Sequence, residues 1–90
     1  MLTLRGELDL VNAETVATRL DALRAAGQPV LLDLDALDFM DSSGLRVVLN
    51  AAEASDASGW PFSVTHGPDQ VRRLFESTAV TERLPIVPRP

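Results

Sequence analysis

Chemistry in this chain is concentrated in Asp41-Ser42-Ser43-Gly44, two hydroxyls flanked by a carboxylate and a glycine. Three aspartates, Asp9, Asp33 and Asp41, end or interrupt apolar runs, and carboxylates gathered at strand ends can hold a hard cation such as Mg²⁺ for phosphoryl chemistry. A Ser-His-Asp hydrolase would need His66 to reach Ser42, yet Ser42 lacks the Gly-x-Ser-x-Gly elbow that exposes such a nucleophile. Missing residue types narrow the field further. The absence of cysteine excludes disulfides, thiolate metal sites and thiol nucleophiles. All eight basic residues are arginine, which removes Schiff-base chemistry, the P-loop and the lysine of a receiver-type aspartyl-phosphate site. His66 is the only histidine, so a His-based metal cluster cannot form. The serine pair also has a structural reading, in which one hydroxyl caps the free amides of a helix and Gly44 allows a tight approach.

The elements that must hold these residues follow from periodicity. Leu2, Leu4, Leu8 and Leu10 alternate with polar residues, with Gly6 in the series, as in one half-buried strand. Asn12 is placed to cap a helix in which Ala13, Val16, Leu20 and Leu23 share a face, and Gly27 and Pro29 stop it. Val30-Leu31-Leu32-Asp33-Leu34 reads as a strand covered on both sides. A short connection through Leu37 and Phe39 leads to the serine loop and to a helix with Leu45, Val48, Leu49 and Ala52 inward and Arg46, Asn50 and Glu53 outward. Phe62–Thr65 is a third strand. Gly67-Pro68-Asp69 turns into a helix burying Val71, Leu74 and Phe75, with Arg72, Arg73 and Glu76 in water. Pro85 and Pro88 confine a last strand, Leu84 to Val87, to a sheet edge, and Pro88-Arg89-Pro90 reads as a frayed tail.

This β-α-β-α-β-α-β order calls for an α/β domain over residues 1–90, a small mixed or mostly parallel sheet of about four strands alternating with helices. Ligand-facing residues of such sheets collect at the carboxyl ends of strands, which places Asp9 and Asp41-Ser42-Ser43 on one rim. Each has a plainer role too: Asp9 can end a strand and cap a turn, Asp33 can serve hydrogen bonding, and Asp41 can help cap the helix. Arg46 fits a solvated helix position, Trp60 and Phe62 fit packing, and His66 fits a surface turn.

The composition, 46% hydrophobic over 90 residues, supports a modest core without metals or disulfides. No apolar run nears the roughly 20 residues of a membrane span, and no leader pattern opens the chain. A cytoplasmic location is expected. A net charge of −5 argues against nucleic acid or an anionic membrane as the main partner.

Gly6-Glu7-Leu8-Asp9 resembles the opening motif of the STAS family, and Val30–Leu34 is similar to that family's central strand. Phe39-Met40-Asp41-Ser42-Ser43-Gly44-Leu45 resembles the loop and helix start of its anti-sigma-factor antagonists, and Val71-Arg72-Arg73-Leu74-Phe75 its later helix. The matches run in order over nearly the whole chain. The resemblance implies a regulatory binding protein, not an enzyme, with no cofactor or metal. Ser42 is then the residue phosphorylated by an anti-sigma factor that is itself a serine kinase, and a serine phosphatase resets it. The unmodified form binds the anti-sigma factor and frees the sigma factor. Asp9, Asp41, Ser43, Gly44 and Arg46 join Ser42 as expected partner contacts. A STAS scaffold or nucleotide-sensing module that never cycles through phosphorylation is the alternative. Members usually carry a strand ahead of Gly-Glu-Leu-Asp, and only five residues precede Gly6. The family's first strand is therefore expected to be missing, leaving an open sheet edge through which a dimer could form. A glycine usual near the end of the last helix is replaced by Ala79.

Overall fold

The alternation that opens the chain does not run through a single strand. The structure, a computed structural model, describes residues 1–87 and divides this segment into β1 (Leu2–Thr3) and β2 (Gly6–Leu8). Leu4 and Arg5 separate them, and Gly6 opens β2 at φ +77°, a backbone conformation that a side chain makes costly. The chain then forms α1 (Ala13–Ala25), β3 (Val30–Asp33), β4 (Leu37–Met40) and α2 (Ser42–Ser58). It ends with β5 (Phe62–Thr65), α3 (Asp69–Ser77), a 3₁₀ turn (Thr81–Arg83) and β6 (Ile86–Val87). The tail reading for Pro88 to Pro90 lies outside the described residues.

Every described strand pairing is parallel, as the alternation with helices requires. One sheet has the order β1-β3-β5-β6, and β2 pairs with β4 in a second, two-stranded ladder. Leu2 faces Leu32, Gly6 faces Leu37 and Leu8 faces Met40, so the offset grows from 30 to 31 to 32 residues. The same two stretches of chain thus run side by side twice, the second accommodating extra residues between ladders. The segment around Leu37 and Phe39 is therefore a strand and not the expected connection. Its burial alternates poorly, with Asp38 and Phe39 both exposed between buried Leu37 and Met40. Periodicity could not mark it.

Leu8, Leu32, Leu34, Val48, Val64, Val71 and Phe75 form the innermost core. Helix α2 buries Gly44, Leu45, Val47, Val48, Ala51 and Ala52, a wider face than the expected stripe, because it meets both strands and α1. Arg46, Asn50 and Glu53 lie outward as expected. Helix α3 buries Val71 and Phe75, while Leu74 is only half-buried. Helix α1 fully buries Leu20 alone. Trp60 is core, stacked on Phe62 with ring centroids 5.1 Å apart and its indole N–H donating to Gln28 O at 2.7 Å. Buried Thr65 uses its hydroxyl to accept from the Leu34 amide at 2.9 Å. Among the described residues, no buried side-chain nitrogen or oxygen lacks a partner.

Candidate functional site

Strands β2 and β4 end together. Leu8 stands in register with Met40, and the Asp41 amide donates to Leu8 O at 3.3 Å. Asp9 and the serine loop therefore leave adjacent parallel strands on one rim, although the loop follows β4 rather than the Val30 strand. The rim is the place where such a sheet presents side chains to ligands.

The helix that starts there is capped by Asp41, whose backbone is extended at φ −107° and ψ −172°. Its Oδ1 accepts from the Ser43 amide at 2.8 Å and the Gly44 amide at 3.2 Å. A carboxylate at this position satisfies orphan amides and meets the positive end of the helix. The serine hydroxyls are thereby released from capping. Ser42, the first residue of α2, is exposed, and its hydroxyl has no hydrogen-bond partner among the described residues. Ser43 is half-buried beside it.

Gly44 sets how closely the helix seats. A Cβ there would stand 2.6 Å from Leu8 O and 2.8 Å from Leu8 Cγ and Met40 Cγ. Only a residue without a side chain lets the first turn of α2 rest on the ends of β2 and β4. That contact fixes Ser42 relative to Asp9.

Asp9 does what a turn residue does. Its Oδ1 accepts from the Val11 amide at 3.0 Å, and its carbonyl accepts from the Asn12 and Ala13 amides at 3.2 and 2.8 Å. Asn12, expected to cap α1, makes no side-chain cap. Its Oδ1 instead accepts from the Asp9 amide at 2.9 Å, and its Nδ2 donates to Glu7 O at 2.6 Å. The side chain folds back on the strand it follows, because Glu7 O and Asp9 N are polar groups left over where β2 ends. Leu10, expected on the buried face, is 78% exposed, and Val11 is 91% exposed. The strand stops at Leu8, so the apolar alternation outlives it. Val11, an apolar residue directly after the last alternating leucine where a polar one was due, was the sequence signal of this exposed pair.

Arg46 is exposed one helical turn beyond Ser42 and makes no ion pair among the described residues. Ser42, Ser43, Arg46, Glu14 and Leu10 line one open groove of about 410 Å³ between the starts of α1 and α2. Asp33 does not join them. Its Oδ1 accepts from the Asp35 amide at 2.9 Å, and its Oδ2 accepts from the Thr3 hydroxyl at 3.5 Å. His66 is exposed after β5, hydrogen-bonded through Nδ1 to Gly67 O, in a different groove with Asp35, Pro68 and Asp69. Among the described residues, no group of three or more histidines and carboxylates is placed to hold a metal ion. Among the described residues, no helix is long and apolar enough to cross a membrane.

A small α/β domain with a mostly parallel sheet and three helices, carrying a hydroxyl-bearing loop at the ends of adjacent strands, is the architecture of STAS domains. The STAS domain model matches residues 1–89, and the chain belongs to that family. It is 31% identical over 88 residues to an anti-sigma F factor antagonist of Paenibacillus polymyxa, covering 96% of this chain and 75% of that protein. The anti-sigma-F factor antagonist RsfA of Mycobacterium tuberculosis is 28% identical over 87 residues, covering 93% of this chain and 68% of that protein. The crystal structure of an anti-sigma factor antagonist from Mycobacterium paratuberculosis aligns with a TM-score of 0.84 at 26% identity, over 97% of this chain and 74% of that one. The unphosphorylated form of the anti-sigma factor antagonist SpoIIAA shares the fold, with a TM-score of 0.78 at 22% identity over 97% of this chain and 77% of that one.

Proposed function

We propose that this chain is an anti-sigma-factor antagonist, one STAS domain over residues 1–90 that acts in the cytoplasm as a switch and not as a catalyst. Its unmodified form binds an anti-sigma factor that is also a serine kinase, and the sigma factor is released. Phosphorylation of Ser42 ends the binding, and a serine phosphatase restores it. The observation that carries this reading is the exposed Ser42 hydroxyl, which has no hydrogen-bond partner among the described residues, Asp41 being the side chain that caps α2. The relatives named above, anti-sigma-factor antagonists by name, support it.

The chemistry asks little of the chain itself. The Ser42 oxygen attacks the terminal phosphorus of ATP held by the kinase, the hydroxyl proton passes to a base of the kinase, and ADP leaves. Hydrolysis by the phosphatase returns the hydroxyl and inorganic phosphate. The modification adds roughly −1.5 to −2 charges at the site. Asp41 already occupies the Ser43 and Gly44 amides, so those donors are not free to neutralise the new phosphate. The dianion stays hydrated beside Asp41 and Asp9, and a partner surface fitted to a neutral hydroxyl must strip that water away. Leaving a charge unpaired in an interface costs several kcal/mol, and about 2.7 kcal/mol is already about a hundredfold in affinity.

Incubation with ATP and each purified anti-sigma kinase of the source organism tests the assignment by mass spectrometry. One phosphate is expected on wild type and on Ser43→Ala, and none on Ser42→Ala. Transfer that survives Ser42→Ala would place the switch elsewhere.

A further inference from the structure

The exposed pair Leu10–Val11 is built as a rigid apex. Five hydrogen bonds tie down the four-residue turn that carries it: Val11 N to Asp9 Oδ1, Asp9 N to Asn12 Oδ1, Asn12 Nδ2 to Glu7 O, and the Asn12 and Ala13 amides to Asp9 O. Asp9 and Asn12 turn their polar groups inward on the turn, while two apolar side chains, 78% and 91% exposed, point into water. Ordering cost is met within the fold, the condition under which exposed apolar groups bind with least entropic loss.

We infer that Leu10 and Val11 are the apolar anchors of the partner contact, seated in an apolar recess of the anti-sigma factor beside the place that receives Ser42. This rests on the function proposed above. Leu10 lines the same groove as Ser42, so a protein that reaches the hydroxyl must cover Leu10 as well. Glu14 and Arg46 border the groove with opposite charges, giving the small apolar centre and polar rim of a protein contact. A lipid surface fits poorly, since the net charge of −5 opposes anionic headgroups. Ser42 supplies the on–off control, and the apex supplies affinity and choice of partner.

The test titrates each purified anti-sigma factor of the source organism into the full chain by calorimetry, with ultracentrifugation alongside. Against the factor that binds wild type, Leu10→Ser/Val11→Ser is expected to lose about a hundredfold in affinity, about tenfold for each apolar side chain. Val11→Asp alone, at a position already in water, is expected to lose at least about tenfold with an unchanged circular dichroism spectrum. Leu10→Met/Val11→Ile, apolar and similar in volume, is expected to bind as wild type does. If the serine and aspartate variants bind like wild type while Ser42→Glu does not, the anchor assignment alone is overturned. If no anti-sigma factor binds wild type, the proposed function fails and the anchors fail with it. If the substitutions dissolve only self-association and leave the partner affinity intact, the apex belongs to a second copy and the inference is wrong.

Discussion

Capping decides what Ser42 is free to do. A serine pair ahead of a helix ordinarily lends a hydroxyl to the first turn, but here Asp41 Oδ1 takes the Ser43 and Gly44 amides and leaves that task to neither serine. Asp41→Ala should cost about 1 kcal/mol of stability by urea denaturation, the usual value of a lost cap. It should also leave the two amides to compete for the neighbouring hydroxyls. Gly44→Ala is a harsher test, because two of the three clashes involve Leu8 and one of those its backbone oxygen, which cannot swing aside. A loss of about 1–3 kcal/mol is expected, in line with other overpacked sites, with weakened partner binding as α2 lifts from β2. Both aspartates and the glycine were legible as a group from the sequence, since Asp-Ser-Ser-Gly and Gly-Glu-Leu-Asp stand out. The division of labour among them was not legible, because which oxygen reaches which amide depends on backbone angles that residue types do not specify. Asn12 shows the same limit: its position suits a cap, but the unpaired Glu7 carbonyl and Asp9 amide claimed its side chain.

Helices were legible because apolar spacing fixes them, and each of the three lies where its stripe places it. Strands were less so. Leu2 to Leu10 alternates well enough to read as one strand, yet Gly6 breaks it, and β4 hides in a stretch whose middle residues both face water. Both errors arise because the paired segments slip by one residue between the ladders and by one more between Gly6 and Glu7, a tertiary feature with no local signature. Helix α1 buries only Leu20 fully, whereas α2 buries six residues. Local opening should follow burial, so amide hydrogen exchange is expected to be faster in α1 than in the middle of α2. Equal protection in both helices would contradict this. At the end of α3, Ala79 holds φ +57°, the left-handed conformation that suits glycine. Ala79→Gly should therefore raise stability by about 1 kcal/mol, read as a higher urea midpoint at unchanged slope. The sequence marked this position through the glycine that the family resemblance led one to expect there.

Across the molecule, the core and the proposed switch are kept apart. Nothing that Ser42 carries is needed for packing: Gly44 and Leu45 behind it are buried, and Ser42 itself stands outside. A charge can be added there without touching Leu8, Val48 or Phe75, so the domain should keep its fold while its partner loses its seat. The most direct test compares stoichiometrically phosphorylated and unmodified chain, by amide NMR spectra and by titration with the anti-sigma factor that binds the unmodified form. Amide shifts confined to the Asp9–Asn12 turn and the start of α2, together with an affinity loss of about a hundredfold or more, are expected. Shifts spread through β3, β5 and α3, or equal affinity of the two forms, would contradict a switch that works by local charge.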